Sequence, residues 1–173
     1  MCEGYDNSKF KQKIQKYLKT GSTILEIGMG PGNDYKWLSE SYKVTGSDYS
    51  SEFINRAVDK FPNGNFKVLD AITIDTMNKY DSIYSCKVYQ HFELSEIEKA
   101  LIKQAMILTD NGIIIHSFWI GNSVFEQDDM KAIYHDKTKL LSIISNNFQI
   151  LEEKVYEEFE PNDSVFIIAK KKD

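Results

Sequence analysis

Cysteine and proline are scarce in this sequence, which has two cysteines and three prolines among 173 residues. Cys2 and Cys86 lie too far apart to suggest the disulfide framework of a small secreted domain, so we expect a reducing, cytoplasmic environment. The paired C-x-x-C spacing of zinc sites is missing, as are the H-E-x-x-H and G-x-S-x-G motifs. We therefore predict neither a metal site nor a serine hydrolase.

Long apolar runs and an excess of positive charge are missing as well. No run reaches the roughly 18 apolar residues that a membrane-spanning helix needs, and the first residues lack the apolar core of a signal peptide. The formal net charge is −5, and no basic stripe is present that could bind a phosphate backbone. We expect no membrane and no nucleic acid as a partner. The length predicts a single domain, 1–173, with an N-terminal helical segment (1–22) and an α/β core (23–173).

Strand-like and helix-like patterns alternate along the chain. Short apolar runs predict five strands, three of which end at glycine or aspartate, and apolar residues at helical spacing predict helices between them. The predicted strands are TILEIG, KVTGSD, NFKVLD, YDSIYSC and GIIIHSF. The predicted helices begin near Ser8, at Asn33, after the N-cap Ser50, at a capping box of Ser95 and Glu98, and after the N-cap Asp136.

The order of these elements predicts an open sheet. Only about ten residues separate the third and fourth strands, so the crossover helix there is short or missing. A longer connection spans 119–136, and FQILEEKVYEEF with SVFIIAKK predicts a C-terminal hairpin around the turn EPND. Alternating strands and helices predict a mostly parallel sheet with helices on both faces.

Ligands of such sheets bind at the carboxyl ends of the strands. The stretch ILEIGMGPGNDYKWL places three alternating glycines between a strand and a helix, which suits a phosphate, ribose or carboxylate near the helix N-terminus. Asp48 ends the second strand at the separation where a carboxylate commonly binds a ribose diol; alternatively, it caps the following helix. Asp70 ends the third strand, where it either accepts a hydrogen bond from an adenine amine or serves as a turn residue.

Together, the motifs LEIGMGPGND, GSDYS and VLDA resemble the class I S-adenosylmethionine-dependent methyltransferases. Glu26, Gly28, Gly30 and Gly32 fill every fixed position of that family's first motif, E/D-x-G-x-G-x-G. The resemblance implies a three-layer α/β/α sandwich of the Rossmann-like type, with a mostly parallel seven-stranded sheet whose last strand is antiparallel. It also implies S-adenosylmethionine as methyl donor and S-adenosylhomocysteine as product.

The resemblance also implies residue roles in cofactor binding. The glycine loop would pass under the methionine part of the cofactor, whose amino-acid end would lie near Glu26. Asp48 would bind the ribose hydroxyls and Tyr49 would lie on the adenine, while Asp70 and the backbone of Ala71 would read the adenine edge. The segment CKVYQHF, which contains Cys86 and Lys87, would border both the donor methyl and the acceptor.

Several residues are candidates for acceptor binding or catalysis. His91 is either a general base near neutral pH or a structural residue. Lys87 meets an anionic acceptor or the cofactor carboxylate, or it is a solvated surface lysine. Trp119, Phe125 and Tyr134 form a wall over the acceptor or simply pack a long loop onto the sheet edge, and Tyr5 could fold over the donor.

His116, within the fifth strand, is expected to be a structural histidine rather than a catalytic one.

The rival ligand is a nicotinamide dinucleotide, whose binding fingerprint is G-x-G-x-x-G/A. Counted from Gly28 and Gly30, the last small residue of that fingerprint would fall at position 33, which is Asn33, whereas Gly32 lies one residue early. We predict a small-molecule methyltransferase, monomeric or homodimeric, because no basic face or appended domain suggests a macromolecular acceptor. A module that binds an adenosyl ligand without turnover is the alternative.

Overall fold

A computed structural model describes residues 8–127 and 130–172, and these ranges contain five α-helices and nine strands. The helices are α1 (Ser8–Tyr17), α2 (Asn33–Leu38), α3 (Ser51–Lys60), α4 (Leu94–Ile107) and α5 (Lys137–Asn147), with a 3-10 turn at Tyr89–His91. The strands are β1 (Thr23–Ile27), β2 (Lys43–Asp48), β3 (Asn65–Val68), β4 (Tyr80–Ser85), β5 (Leu108–Trp119), β6 (Val124–Gln127), β7 (Met130–Ile133), β8 (Phe148–Tyr156) and β9 (Ser164–Lys171).

Seven of these strands form one sheet in the order β3-β2-β1-β4-β5-β9-β8. The pairs β1–β2, β2–β3, β1–β4 and β4–β5 are parallel, and β9 runs antiparallel between β5 and β8. This arrangement confirms the predicted mostly parallel sheet with an antiparallel last strand. Because β2 and β4 lie on opposite sides of β1, the strand order reverses beside β1, which is where such sheets bind ligands.

Helices cover both faces of the sheet. Successive side chains of a strand point to opposite faces, so each strand contributes apolar residues to both layers of the core. On one face, Leu25 of β1 belongs to the same buried cluster as Ile97 of α4 and Leu140 of α5. On the other face, Ile24 belongs to a cluster with Phe10 of α1, and residues of α2 and α3 join it. The two clusters confirm the three-layer architecture.

Two predicted N-caps are confirmed by their hydrogen bonds. The Ser50 hydroxyl accepts from the Phe53 N–H at 3.4 Å, and the Asp136 carboxylate accepts from the Lys139 N–H at 2.8 Å. Each cap satisfies a backbone donor that the first helical turn leaves without an intrahelical partner. Residues 69–79 form a turn and irregular backbone, as expected for a short or missing crossover helix.

The capping box predicted for α4 is wrong by two residues. The helix begins at Leu94, so Ser95 lies inside it, and the Glu96 carboxylate accepts from the Glu93 N–H at 2.9 Å. Ser95–Glu98 and Glu93–Glu96 share the same spacing, and Leu94 takes helical backbone angles readily. The helix therefore extends until the earlier pair can close its N-terminus.

The connection 119–136 contains a separate two-stranded sheet, which the sequence pattern did not predict. Val124 of β6 pairs with Ile133 of β7, and β7 contacts the 3-10 turn that follows β4. The hairpin thus lies beside the carboxyl end of the sheet. No helix in the described ranges is both long and apolar enough to cross a membrane.

Candidate cofactor and acceptor site

The glycine loop after β1 has left-handed backbone angles, with φ of 67° at Gly28, 51° at Gly30 and 78° at Gly32. A Cβ at Gly28 would lie 2.4 Å from a methyl of Val88, so the loop passes close to the segment after β4. A Cβ at Gly30 would meet no atom within 4 Å. The loop therefore touches protein at its first glycine and faces open space at its second.

Asp48 holds this loop in place. One carboxylate oxygen accepts from the Gly30 N–H at 2.9 Å, and the other accepts from the Ser50 N–H at 2.9 Å. Each carboxylate oxygen has a second lone pair, so these bonds leave acceptor capacity for the predicted ribose hydroxyls. The next residue, Tyr49, exposes 77% of its surface, which leaves its ring available to a ligand.

Glu26 is the buried acid of the site. It is 2% exposed and accepts from the Tyr35 N–H, but its Oε2 has no hydrogen-bond partner in the described part of the chain. Burial raises the pKa of the Glu26 carboxyl well above its ordinary value, and the neighbouring Asp34 and Asp48 charges raise it further. A buried acceptor without a partner is costly, so this oxygen suits a cationic or N–H-bearing ligand.

Asp34, in the first turn of α2, was not predicted as a site residue. It accepts from the Tyr84 hydroxyl at 2.8 Å and from the Trp37 indole at 3.0 Å. The position of Asp34 directly after the glycine loop is a signal that the sequence shows, whereas its partner Tyr84 on β4 could not be seen from the sequence.

Burial and the nearby Asp34 charge raise the pKa of the Cys86 thiol to about 12, so this thiol stays protonated at neutral pH.

The segment after β3 contains the two predicted adenine-reading residues. Asp70 Oδ1 accepts from the N–H groups of Ile72 and Thr73, each at 2.8 Å, so the turn role of this carboxylate is observed. Both bonds fall on one oxygen, and the adenine role of the carboxylate stays a prediction. The Ala71 carbonyl accepts a hydrogen bond of 3.4 Å from the Tyr89 hydroxyl, which joins this segment to the one after β4.

Lys87, directly after β4, is an ion-paired lysine rather than a freely solvated one. Its ammonium lies 2.7 Å from the carboxylate of Glu158, whose side chain is only 2% exposed. Its backbone is left-handed, with φ of 60°, and its N–H donates to the Ser117 hydroxyl at 3.0 Å. Glu158 lies in the β8–β9 turn, and no local sequence signal could have paired it with Lys87.

His91 is exposed and well oriented. Its Nδ1 lies 2.7 Å from the Lys131 carbonyl of β7, and a carbonyl can only accept, so Nδ1 carries a proton. In the neutral ring the Nε2 lone pair is then left to accept a proton. The Gln90 amide nitrogen lies 3.4 Å from that Nε2 and also donates to the Lys87 carbonyl.

Three aromatic rings lie together beyond the end of β5. The rings of Trp119 and Tyr134 stack at 5.2 Å between centroids, and Phe159 meets Trp119 edge-on at 5.5 Å. The structure thus brings two of the three predicted residues together, leaves Phe125 exposed on β6, and adds Phe159, which the sequence did not predict. Tyr5 lies outside the described residues. Within the described ranges, no group of three or more histidine, cysteine or acidic residues could hold a metal ion.

His116 is buried at the centre of the fold. Its two ring nitrogens lie 2.7 Å from the Ser85 hydroxyl and 2.7 Å from the Gln104 amide oxygen. Burial lowers the pKa of His116 to about 3, so the ring stays neutral at physiological pH. These partners confirm the expectation of a structural histidine.

Residues 24–112, slightly more than half of the chain, match the family model described as a methyltransferase domain. The chain belongs to this methyltransferase family. The match covers the glycine loop and the ends of β2, β3 and β4, so the resemblance stated from the sequence motifs is confirmed on the residues that carried it.

Relatives and solved structures agree with this family. The chain is 29% identical over 148 residues to an uncharacterized methyltransferase of Alkaliphilus oremlandii, covering 73% of this chain and 66% of that protein. It thus spans just under two thirds of the length of this relative. Its fold is similar to a Clostridium acetobutylicum S-adenosylmethionine-dependent methyltransferase, with a TM-score of 0.81 at 14% identity over 97% of this chain and 93% of the other. It is also similar to the N-methyltransferase NodS of Bradyrhizobium japonicum in complex with S-adenosylhomocysteine, with a TM-score of 0.77 at 14% identity, covering 99% and 90%.

Proposed function

We propose that this methyltransferase transfers a methyl group from S-adenosylmethionine to a small-molecule acceptor. The observation that carries the proposal is the unpartnered, buried Oε2 of Glu26, which lies beside a glycine loop that is open at Gly30. S-adenosylmethionine carries an ammonium on its methionine part, which is the kind of donor that such an oxygen lacks. The residues present therefore fit this cofactor.

When bound, S-adenosylmethionine supplies a methyl group that its sulfonium charge has already activated. The chain's own residues then position the donor and the acceptor in line. In this proposal Glu26 and the glycine loop hold the methionine part, Asp48 binds the ribose and Tyr49 covers the adenine face. Asp70 and Ala71 contact the adenine edge, and the backbone of Cys86 and Lys87 borders the donor methyl.

The acceptor would lie between the 3-10 turn, the end of β5 and the β6–β7 hairpin. In this proposal His91, Trp119 and Tyr134 would line this region from three different segments, and Tyr5 stays a candidate on sequence grounds alone. A small molecule is favoured because the net charge of −5 does not suit a nucleic acid. We place the enzyme in the cytoplasm, as a monomer or homodimer.

Calorimetric titration of the purified protein tests the cofactor first. We expect micromolar binding of S-adenosylmethionine and S-adenosylhomocysteine and no binding of NAD or NADP. Binding of a dinucleotide alone would overturn the proposal. Tight binding of the donor without turnover of any acceptor in a broad panel would indicate a module that binds the cofactor and does not catalyse methyl transfer.

Glu26→Gln separates stability from binding. The folded state raises the pKa of Glu26, so the folded carboxyl holds its proton more tightly than the unfolded one. Stability from this group is therefore present below pH 4.5 and is lost as the pH rises above that value. We expect Glu26→Gln to raise the melting temperature of the ligand-free protein at pH 8 more than at pH 5. It should also weaken S-adenosylmethionine binding roughly 10–100-fold.

Thermal unfolding at the two pH values and calorimetry on the same preparations check this prediction. A lower melting temperature at pH 8 together with unchanged affinity would show that Glu26 is a structural group and does not meet the cofactor.

A further inference from the structure

A buried chain of hydrogen bonds runs from the end of β4 to the segment after β3. The Ser85 hydroxyl lies 2.7 Å from Nδ1 of His116, whose Nε2 lies 2.7 Å from the Gln104 amide oxygen. The Gln104 amide nitrogen donates to the Tyr89 hydroxyl at 2.6 Å, and that hydroxyl donates to the Ala71 carbonyl at 3.4 Å. The first four of these residues are each at most 1% exposed.

The direction of every bond in this chain follows from its last acceptor. A carbonyl only accepts, so the Tyr89 proton points to Ala71, and the hydroxyl oxygen must accept from Gln104. The Gln104 oxygen then accepts from a protonated Nε2 of His116, whose Nδ1 accepts from Ser85. Because burial keeps His116 neutral, a single tautomer satisfies all members at once.

This chain of hydrogen bonds matters because residues 69–79 form a turn and irregular backbone instead of a helix packed on the sheet. Side-chain bonds therefore contribute more to the position of this segment than they would in a regular crossover. The Tyr89 ring is held independently of its hydroxyl, since it stacks on Phe118 at 5.9 Å and meets His116 edge-on at 5.3 Å. The hydroxyl can thus be removed without removing the ring contacts.

We propose that Tyr89 and Gln104 are positioning residues that set the adenine-contacting segment, Asp70–Ala71, and so determine how well the enzyme distinguishes adenine from other bases. Neither residue touches the base in this arrangement; they act through the Ala71 backbone. The inference rests on the proposed function, in which this segment contacts the adenine edge.

The test compares two ligands that differ only at the adenine edge. S-inosylhomocysteine carries an oxygen in place of the adenine amine of S-adenosylhomocysteine. We expect the wild-type protein to prefer S-adenosylhomocysteine, and we expect Tyr89→Phe to reduce this preference about 3–10-fold, the size of one lost hydrogen bond. General destabilisation would weaken both ligands equally and would leave the ratio of their dissociation constants unchanged.

Tyr80→Phe is the matched control. Tyr80 is a buried tyrosine at the other end of β4, 3% exposed, and its hydroxyl has no hydrogen-bond partner among the described residues. Its removal should leave the ratio at the wild-type value. Gln104→Met, which keeps the side-chain volume but breaks the link to His116, should shift the ratio in the same direction as Tyr89→Phe, and it replaces that variant if Tyr89→Phe does not fold.

The outcomes separate the inference from the proposed function. If the wild-type protein binds neither ligand, the proposed function fails and the inference fails with it. If it binds both equally, the adenine-edge assignment of Asp70 and Ala71 fails and so does the inference. If it prefers S-adenosylhomocysteine and the folded variants keep that preference, the positioning role alone is overturned.

Discussion

Gly30→Ala is expected to weaken S-adenosylhomocysteine binding roughly 100-fold while leaving the protein folded. A Cβ at Gly30 meets no protein atom within 4 Å, so it projects into the open space where the proposed cofactor would lie. The left-handed angle, with φ of 51°, adds a strain of about 1–2 kcal/mol to any alanine there. The loss of binding should therefore exceed what backbone strain alone can cause.

Gly21→Ala provides the matched control. Gly21 also has a left-handed angle, with φ of 85°, and a Cβ there also meets nothing within 4 Å. It lies just before the amino end of β1, whereas the glycine loop follows the carboxyl end of that strand. Both variants should lose similar stability in thermal unfolding, and only Gly30→Ala should lose affinity in calorimetry. Equal affinities in the two variants would mean that no ligand approaches Gly30.

His91→Ala is expected to lower turnover by about 10²–10⁴-fold if the acceptor must lose a proton, with S-adenosylhomocysteine binding nearly intact. The hydrogen bond from Nδ1 to the Lys131 carbonyl, 2.7 Å long, orients the ring and leaves Nε2 as the proton acceptor. A base oriented in this way loses its function completely when the ring is removed. The rate of S-adenosylhomocysteine release, measured with an acceptor found by screening, gives the effect.

His91→Asn is the control for structure. Its amide nitrogen can still donate to the Lys131 carbonyl, so its melting temperature should stay close to that of the wild-type protein while its turnover falls as in His91→Ala. Because His91 is exposed, added imidazole should restore part of the lost rate in His91→Ala. Full turnover in both variants would return His91 to a structural role between the 3-10 turn and β7.

Asp48 shows why a site residue is interpreted differently once its partners are known. From the sequence, Asp48→Ala would remove either a ribose contact or a cap of the following helix. In the structure its carboxylate also accepts from the Gly30 and Ser50 N–H groups, so alanine would leave both donors without this acceptor and would disturb the glycine loop itself. Weaker binding in that variant would not by itself establish a ribose contact.

The sequence was most informative where the deciding interactions are local. Apolar periodicity predicted the strands and helices, and the N-caps at Ser50 and Asp136 were predicted because a cap bonds to a backbone group only a few residues away. Where two local solutions were equivalent, as in the two possible capping boxes of α4, the sequence did not choose correctly. The β6–β7 hairpin was missed because its short strands carry no strong alternation.

By itself, then, the sequence determined the sheet class, the glycine loop and the end of β2 at Asp48, because backbone preferences and apolar spacing act over a few residues. The third strand ends at Val68, two residues before the predicted Asp70. Only the tertiary structure decided which side chains meet. The ion pair of Lys87 with Glu158, the contact of His91 with the Lys131 carbonyl and the bond from Tyr89 to Ala71 all join segments distant in the chain. Such contacts depend on how strands are ordered and how loops pack, and no local pattern encodes that.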